Sequence, residues 1–336
     1  MTCIFTDNDI KYDYMINGDI TVKFKKILKT IINHIRRIIG DFLKLIEKEP
    51  MIIMYMEGGF SSQLLRYAKG QWFAERGMKV KYDLQWFDYN GMDGSGVETR
   101  EWRIPLCFPD TKLEIASDRE IKKYKMFYSS EVHDTARKYK GRENEMTPPL
   151  YMAKFDMDYL VSFKDCVKYF DWQGLRNILC DSALEVADEI KMHQKDGKKV
   201  IGVHVRRGDM TATGGYWKVL TPKYFEAAIE KAATDACILY FFSNGFQYVK
   251  EELLPNVKQD YVLVDGHYKE YEDIYLYSLC DIQIASQGSW GELAYQFNES
   301  PERIMIFPNY SIDTDMETYD NGTIKHIHLT DEMYIH

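Results

Sequence analysis

From residue 200 onward the sequence alternates. Short apolar runs at 200–206, 237–243, 261–265, 281–286 and 303–308 read as strands, and the stretches 222–233, 246–254, 270–279 and 289–298 between them read as helices. Runs of this length, rich in Val, Ile, Phe and Tyr, suit strands buried on both faces. Parallel neighbours need a long crossover, and an intervening helix supplies one. The second half therefore predicts a parallel sheet covered by helices on both sides. Ligands of such sheets sit beyond the carboxyl ends of the strands.

Two of those ends carry chemistry. Residues 200–209 read VIGVHVRRGD, an apolar strand that finishes in Arg206, Arg207 and Asp209. A guanidinium pair is costly to bury without an anion, and its planar fork suits carboxylate or phosphate. The anion is either Asp209 or part of a ligand, and one arginine can serve each. At the end of the run DIQIAS, Ser286, Gln287, Gly288 and Ser289 open a helix. A Ser/Gly-rich helix N-terminus facing arginines makes a diphosphate site.

The main body begins at Met51. MIIMYMEGGFSSQLLRYAKGQWFAERGMKVKYDL reads strand, glycine turn, helix and strand. Ser61 or Ser62 is the expected N-cap. The turn at Gly58 and Gly59 brings backbone N–H groups toward a ligand, but it is neither G-x-G-x-x-G nor a Walker loop. Three stretches follow from this reading: 1–50 as an N-terminal extension, 51–180 as a first Rossmann-like domain and 181–336 as a second.

The extension holds VKFKKILKTIINHIRRIIGDFLKLI at 22–46, whose apolar residues form one stripe at helical period. Residues 20–40 contain six Lys or Arg and no acid. Charges recur too often for a transmembrane span. A basic amphipathic helix suits an anionic membrane interface, and equally a stripe packed on the protein itself or on a second copy.

The net charge of −9 argues against nucleic acid as a partner. The six cysteines form no C-x-x-C pair, which argues against zinc and fits a reducing, cytoplasmic compartment. The first twenty residues are polar with four aspartates, unlike a secretory signal. The glycosylation patterns at Asn298 and Asn321 then carry no weight. D-x-D tripeptides at Asp7, Asp156 and Asp313 offer a metal-dependent alternative, but none follows a confident parallel strand.

Taken together, GVHVRRGD, GGFSSQLLRYAKG and DIYLYSLCDIQIASQGSWGELAYQF resemble the motifs of α1,2-fucosyltransferases of glycosyltransferase family 11. They resemble more distantly the α1,6- and protein O-fucosyltransferases, which share the H-x-R-R-x-D signature. The likeness runs from about 51 to 310. It implies a GT-B-like α/β fold, with two Rossmann-like domains facing a cleft, to which the N-terminal amphipathic helix, outside the family pattern, is an addition. It further implies GDP-fucose as donor substrate, no cofactor, no metal and inversion at the fucose anomeric carbon. The acceptor is expected to be a glycan, a β-galactoside of a surface polysaccharide linked α1,2. A lipid-linked acceptor would fit contact of 22–46 with the inner face of a membrane.

Carried over by position, Arg206 would hold the β-phosphate and stabilise departing GDP, with Arg207 beside it. His204 and Asp273 would contact guanosine, Ser286 and Ser289 would donate to phosphate oxygens, and Gly58 and Gly59 would leave room for the diphosphate. The α1,6 relatives place a glutamate where this chain has Gly214, so Glu57 and Asp209 are the candidate general bases. GGFSSQ lacks the family's L-G-N, and SQGSWGELAY lacks its tandem tryptophans. These departures keep open another linkage, another GDP-sugar, or a nucleotide-sugar-binding protein without transfer.

Overall fold

The computed structural model describes residues 19–89, 91–92, 99–153, 162–212, 219–309 and 324–335. The side chains of 19–24, 136, 209, 212 and 326 lie outside the description. The three D-x-D tripeptides and Asn321 also fall outside it. The chain forms two compact units built from interleaved stretches, one from 1–53 and 116–157, the other from 54–115 and 158–336.

In the first unit the helix Asp19–Lys44 precedes the start of strand β1 (Ile52–Tyr55). Gly40 is the buried point of this helix. A Cβ built there would lie 2.3 Å from the Phe127 carbonyl oxygen, so only glycine permits the approach. Below the helix, Glu47 accepts from the Tyr128 hydroxyl at 3.1 Å and pairs with Lys123. The helix Asp118–Phe127 begins with a capping box in which Ser117 and Glu120 satisfy each other's backbone N–H. Leu150, the first residue of β3 (Leu150–Met152), donates its N–H to Met51.

The stripe read from sequence exists, but it faces solvent: Ile31, Ile35, Ile38 and Phe42 are all at least half exposed. The helix docks on its own unit through the opposite, polar side.

The second unit contains β2 (Val80–Asp83) and a large parallel sheet. The strands of that sheet are β4 (Lys199–Val205), β6 (Cys237–Ser243), β7 (Asp260–Leu263), β8 (Ile282–Ile284), β9 (Ile304–Asn309) and β10 (Ile324–His328). A separate short pair joins β5 (Val219–Leu220) to β11 (Tyr334–Ile335), antiparallel. The order across the large sheet is β10-β9-β8-β4-β6-β7, every pair parallel. Renumbered by appearance, this is 3-2-1-4-5-6, the doubly wound order of dinucleotide-binding domains. The chain starts in the middle, winds to one edge, then returns and winds to the other.

The alternation read from sequence matches these elements within a residue or two at most ends. The difference falls at 246–254, where Phe246–Tyr248 is α-helical and Val249–Leu253 widens into a π-turn before Pro255. Proline has no N–H to continue an α ladder, so the run changes its winding there. On one side of the sheet, Ala228 and Phe225 of the helix Pro222–Ala232 pack with Ile201, Val203 and Leu239.

Two polar ties anchor the sheet ends. Asp281, just before β8, accepts the N–H of Val200 at 2.9 Å and an amide hydrogen of Gln194 at 3.1 Å. Asn298 is buried and donates to the Cys280 carbonyl at 2.7 Å, so its side chain serves packing. The described cysteines 107, 166, 180, 237 and 280 are all unpaired thiols.

Candidate active site

Winding reverses between β4 and β8, the two strands that diverge from the sheet centre. Loops leaving their carboxyl ends part to opposite sides, which opens a crevice there. A cavity of about 320 Å³ lies in this second unit, lined by His204 near the end of β4 and Arg206 just after it, by Phe242 and Ser243 at the end of β6 and Asn244 after it, and by Ser289 and Trp290 after β8. Gly59, Ser61, Ser62, Arg100, Tyr268, Glu270 and Asp273 complete it. That volume lies within the range of small-ligand sites, about 300–1,000 Å³.

Arg206 is placed by both flanking strands. Its N–H donates to Ser286 Oγ at 3.1 Å, and the same hydroxyl donates to the His204 carbonyl at 2.6 Å. Ser286 is almost wholly buried and does not line the cavity, so its hydroxyl ties β4 to β8. The Arg206 guanidinium lies against the turn at Gly288, whose φ is +105°. A side chain at 288 would be strained by that backbone and would collide with Nη1. Ser289, next in sequence, starts the helix Ser289–Phe297, whose first N–H groups lack intrahelical partners. A cation and a helix N-terminus thus meet at one point, which is where an anion is stabilised.

Arg207 turns elsewhere. Its N–H donates to Asn244 Oδ1 at 2.7 Å, Nη1 donates to the Leu220 carbonyl at 3.2 Å, and the guanidinium covers the Tyr248 ring at 3.8 Å. Of the two adjacent arginines, one lines the cavity and the other binds the protein. Asp209 lies in the short helix Gly208–Ala212, and its side chain is outside the description. Glu57 is buried and paired with Arg66 at 2.9 Å, and it does not line the cavity. Gly59 lines the cavity and Gly58 does not. The helix Phe60–Ala74 starts from Gly59 with no side-chain cap, and Ser61 and Ser62 fall within its first turn.

His204 and Asp273 also line the cavity. The His204 ring stacks on Trp290 with centroids 4.3 Å apart, and its buried Nδ1 has no partner among the described residues. Burial, and secondarily the Arg206 charge, push its pKa down to about 3, so the ring is neutral at ordinary pH. Asp273 sits on the helix Glu270–Ser278, with a buried Oδ1 that has no hydrogen-bond partner among the described residues. Burial, then Glu272 and Glu270, raise its carboxyl well above the usual range. Buried polar atoms of this kind call for a hydrogen-bonding partner.

The run KEYED at 269–273 could not be sorted from sequence. Glu272 accepts from the N–H of Lys269 at 2.7 Å and of Cys180 at 2.9 Å, a structural role. Glu270 lies 3.7 Å from Arg100 and under Gly59, where a Cβ would come within 2.6 Å of its Oε1. Of the three, Asp273 alone has a buried oxygen without a hydrogen-bond partner among the described residues. Trp290, Arg100, Tyr268, Asn244 and Phe242 are lining residues that sequence reasoning missed. Asn244 was readable as the residue following a strand on the ligand side of a parallel sheet, and Trp290 as the residue after Ser289. Arg100 had no signal, because it reaches the cavity from an irregular stretch.

A doubly wound sheet with a cation and a helix N-terminus at its switch point forms a site suited to a phosphorylated ligand. The glycosyl transferase family 11 profile matches residues 119–327, more than half of the chain. The chain belongs to that family and is a glycosyltransferase, and its described residues form an α/β fold around a parallel sheet. Among curated proteins none matches it.

Solved structures similar to it include NodZ α-1,6-fucosyltransferase from Bradyrhizobium, crystallised with GDP. Identity to that structure is 15%, over 74% of this chain and 92% of that one, with a TM-score of 0.44. POFUT1 in complex with GDP-fucose is 12% identical over 78% of this chain and 99% of that one, TM-score 0.38. A glycosyl transferase family 9 protein from Veillonella parvula is 9% identical over 78% and 81%, TM-score 0.37.

Proposed function

We propose that this glycosyltransferase is a fucosyltransferase that moves L-fucose from GDP-fucose to a hydroxyl of a glycan, with inversion and without a metal. The observation that carries the donor assignment is the seating of the Arg206 guanidinium on the Gly288 turn beside Ser289. Breaking the sugar–phosphate bond leaves a diphosphate whose charge grows as the sugar gains oxocarbenium character. Fixed donors aimed at that charge stabilise the transition state without reorganising. Arg206 and the N–H groups of the 289–297 helix supply such donors.

Guanine suits Asp273 in the cavity lining. The Asp273 carboxylate accepts from adjacent N1–H and N2–H groups of guanine, which adenine does not offer together. Trp290 and the neutral His204 ring give the base or ribose an aromatic surface.

The acceptor is proposed as a β-galactoside glycan with an α1,2 linkage. Residues 51–180 would form the acceptor side of the enzyme and 181–336 the donor side. Asp209, close to Arg206 in sequence, is kept as the candidate base, since Glu57 is already held by Arg66. The unpaired cysteines support a reducing, cytoplasmic setting.

The test is incubation of the purified chain with GDP-fucose and a panel of galactosides, with and without chelator, followed by linkage analysis. Formation of an α1,2-fucosyl galactoside in the presence of EDTA is the expected result. Transfer from another GDP-sugar only, or to another position only, would replace this assignment.

A further inference from the structure

The helix Asp19–Lys44 shows solvent a face that isolated proteins usually cover. Ile27, Ile31, Ile35, Ile38 and Phe42 are between 50% and 63% exposed, and all lie along one side. At about 100° per residue, Gly40 and Asn33 point the opposite way. Gly40 is the residue pressed against the Phe127 carbonyl, and near it His133 Nδ1 stands 3.9 Å from Asp41. The helix is thus fastened by its narrow polar side, and its apolar side is turned outward. A contiguous apolar stripe of this length marks an interaction surface.

Charge decides the occupant. Lys25, Lys26, Lys29, Arg36 and Arg37 are exposed on the polar side and flanks of the stripe, with no acid between 20 and 40, on a chain of net charge −9. Two copies joined stripe to stripe would bring these cations together around an apolar seam, where repulsion is weakly screened. An anionic lipid surface meets both features at once. Acyl chains receive the isoleucines, while long Lys and Arg side chains reach back to headgroup phosphates. Among the described residues no helix is long and apolar enough to cross a membrane, so the helix lies in the interface plane. We propose that this helix seats the protein on anionic membranes, independently of the transfer chemistry.

The test uses the full chain, because removing residues before Met51 would also remove Glu47 from Tyr128 and Lys123. Co-sedimentation is measured with phosphatidylcholine vesicles and with vesicles that also contain phosphatidylglycerol. The expected result is binding to the second kind only, weakened by high salt. Combined Ile31→Ser, Ile35→Ser and Ile38→Ser should abolish binding while circular dichroism and thermal melting stay unchanged. Each of Lys25→Gln, Lys29→Gln and Arg36→Gln should weaken partition about fivefold.

Two outcomes overturn the proposal. One is absence of binding to phosphatidylglycerol vesicles together with a dimer, seen by sedimentation velocity, that the serine substitutions dissociate. The other is vesicle binding that survives those substitutions.

Discussion

Arg206 and Gly288 share one space: a Cβ built on Gly288 would stand 2.5 Å from Arg206 Nη1. The absence of a side chain at 288 therefore sets where the cation rests. Gly288→Ala should displace the guanidinium and strain the backbone, by roughly 1–3 kcal/mol. Donor KM should rise and kcat should fall. If the effect acts through Arg206, adding Gly288→Ala to Arg206→Ala should cost no further activity. Additive losses in that cycle would mean that Gly288 serves another purpose.

The two adjacent arginines should separate cleanly. Arg206→Ala is expected to lower kcat by a factor of about 100–1,000, as for other fixed donors at a developing negative charge. Arg206→Lys should recover little, because an ammonium cannot reproduce the fork. Arg207→Ala should instead lower stability, since it removes contacts to the Leu220 carbonyl and the Tyr248 ring. Steady-state kinetics alongside denaturant melts would distinguish the pair. Equal kinetic damage in both variants would contradict the division.

GDP binding should tighten as pH rises. Burial and the neighbouring Glu272 and Glu270 raise the Asp273 carboxyl in the empty site, which favours its protonated form. Guanine N–H groups favour the ionised form. Binding therefore lowers this pKa and releases a proton, so affinity improves until the pH passes the elevated value of the free protein. Calorimetry in buffers of different ionisation heat would detect the proton. Asp273→Asn should flatten the pH dependence and weaken GDP more than ADP. Equal weakening of both nucleotides would contradict a base-reading role.

Ser286→Ala should act on stability first. The hydroxyl serves the N–H of Arg206 and the carbonyl of His204 inside the protein, and its loss leaves both without that partner. A cost of about 1–3 kcal/mol is expected in urea unfolding. The folded remainder should retain part of its transfer activity, because the hydroxyl does not line the cavity.

On the proposed reading, Arg206 and backbone N–H groups carry the positive potential at the diphosphate, so transfer should persist in EDTA. Inhibition by chelator that manganese reverses would transfer that role to a metal ion.

How much was readable depends on the range of the interactions involved. The apolar runs, their spacing and the helices between them determined a parallel sheet, because strand burial and crossover length are local properties of sequence. With the winding rule, that also located the ligand end at 206 and 286–289. Periodicity likewise revealed the stripe at 22–46, which needs only the pitch of a helix. The same pattern was silent on which way the stripe faces. That was decided by Gly40, whose approach to the Phe127 carbonyl turns the apolar side outward.

Tertiary packing also divided residues that look equivalent in sequence. Arg206 and Arg207 are adjacent, yet Gly288 receives one and Tyr248 the other. Ser286 and Ser289 lie three residues apart, yet one is sealed between strands and the other lines the cavity. Glu270, Glu272 and Asp273 share a single helical turn, and only their distant partners Arg100 and Cys180 distinguish them. A side chain's role depends on which desolvated group it meets, and these groups come from stretches of chain brought near only when the sheet winds.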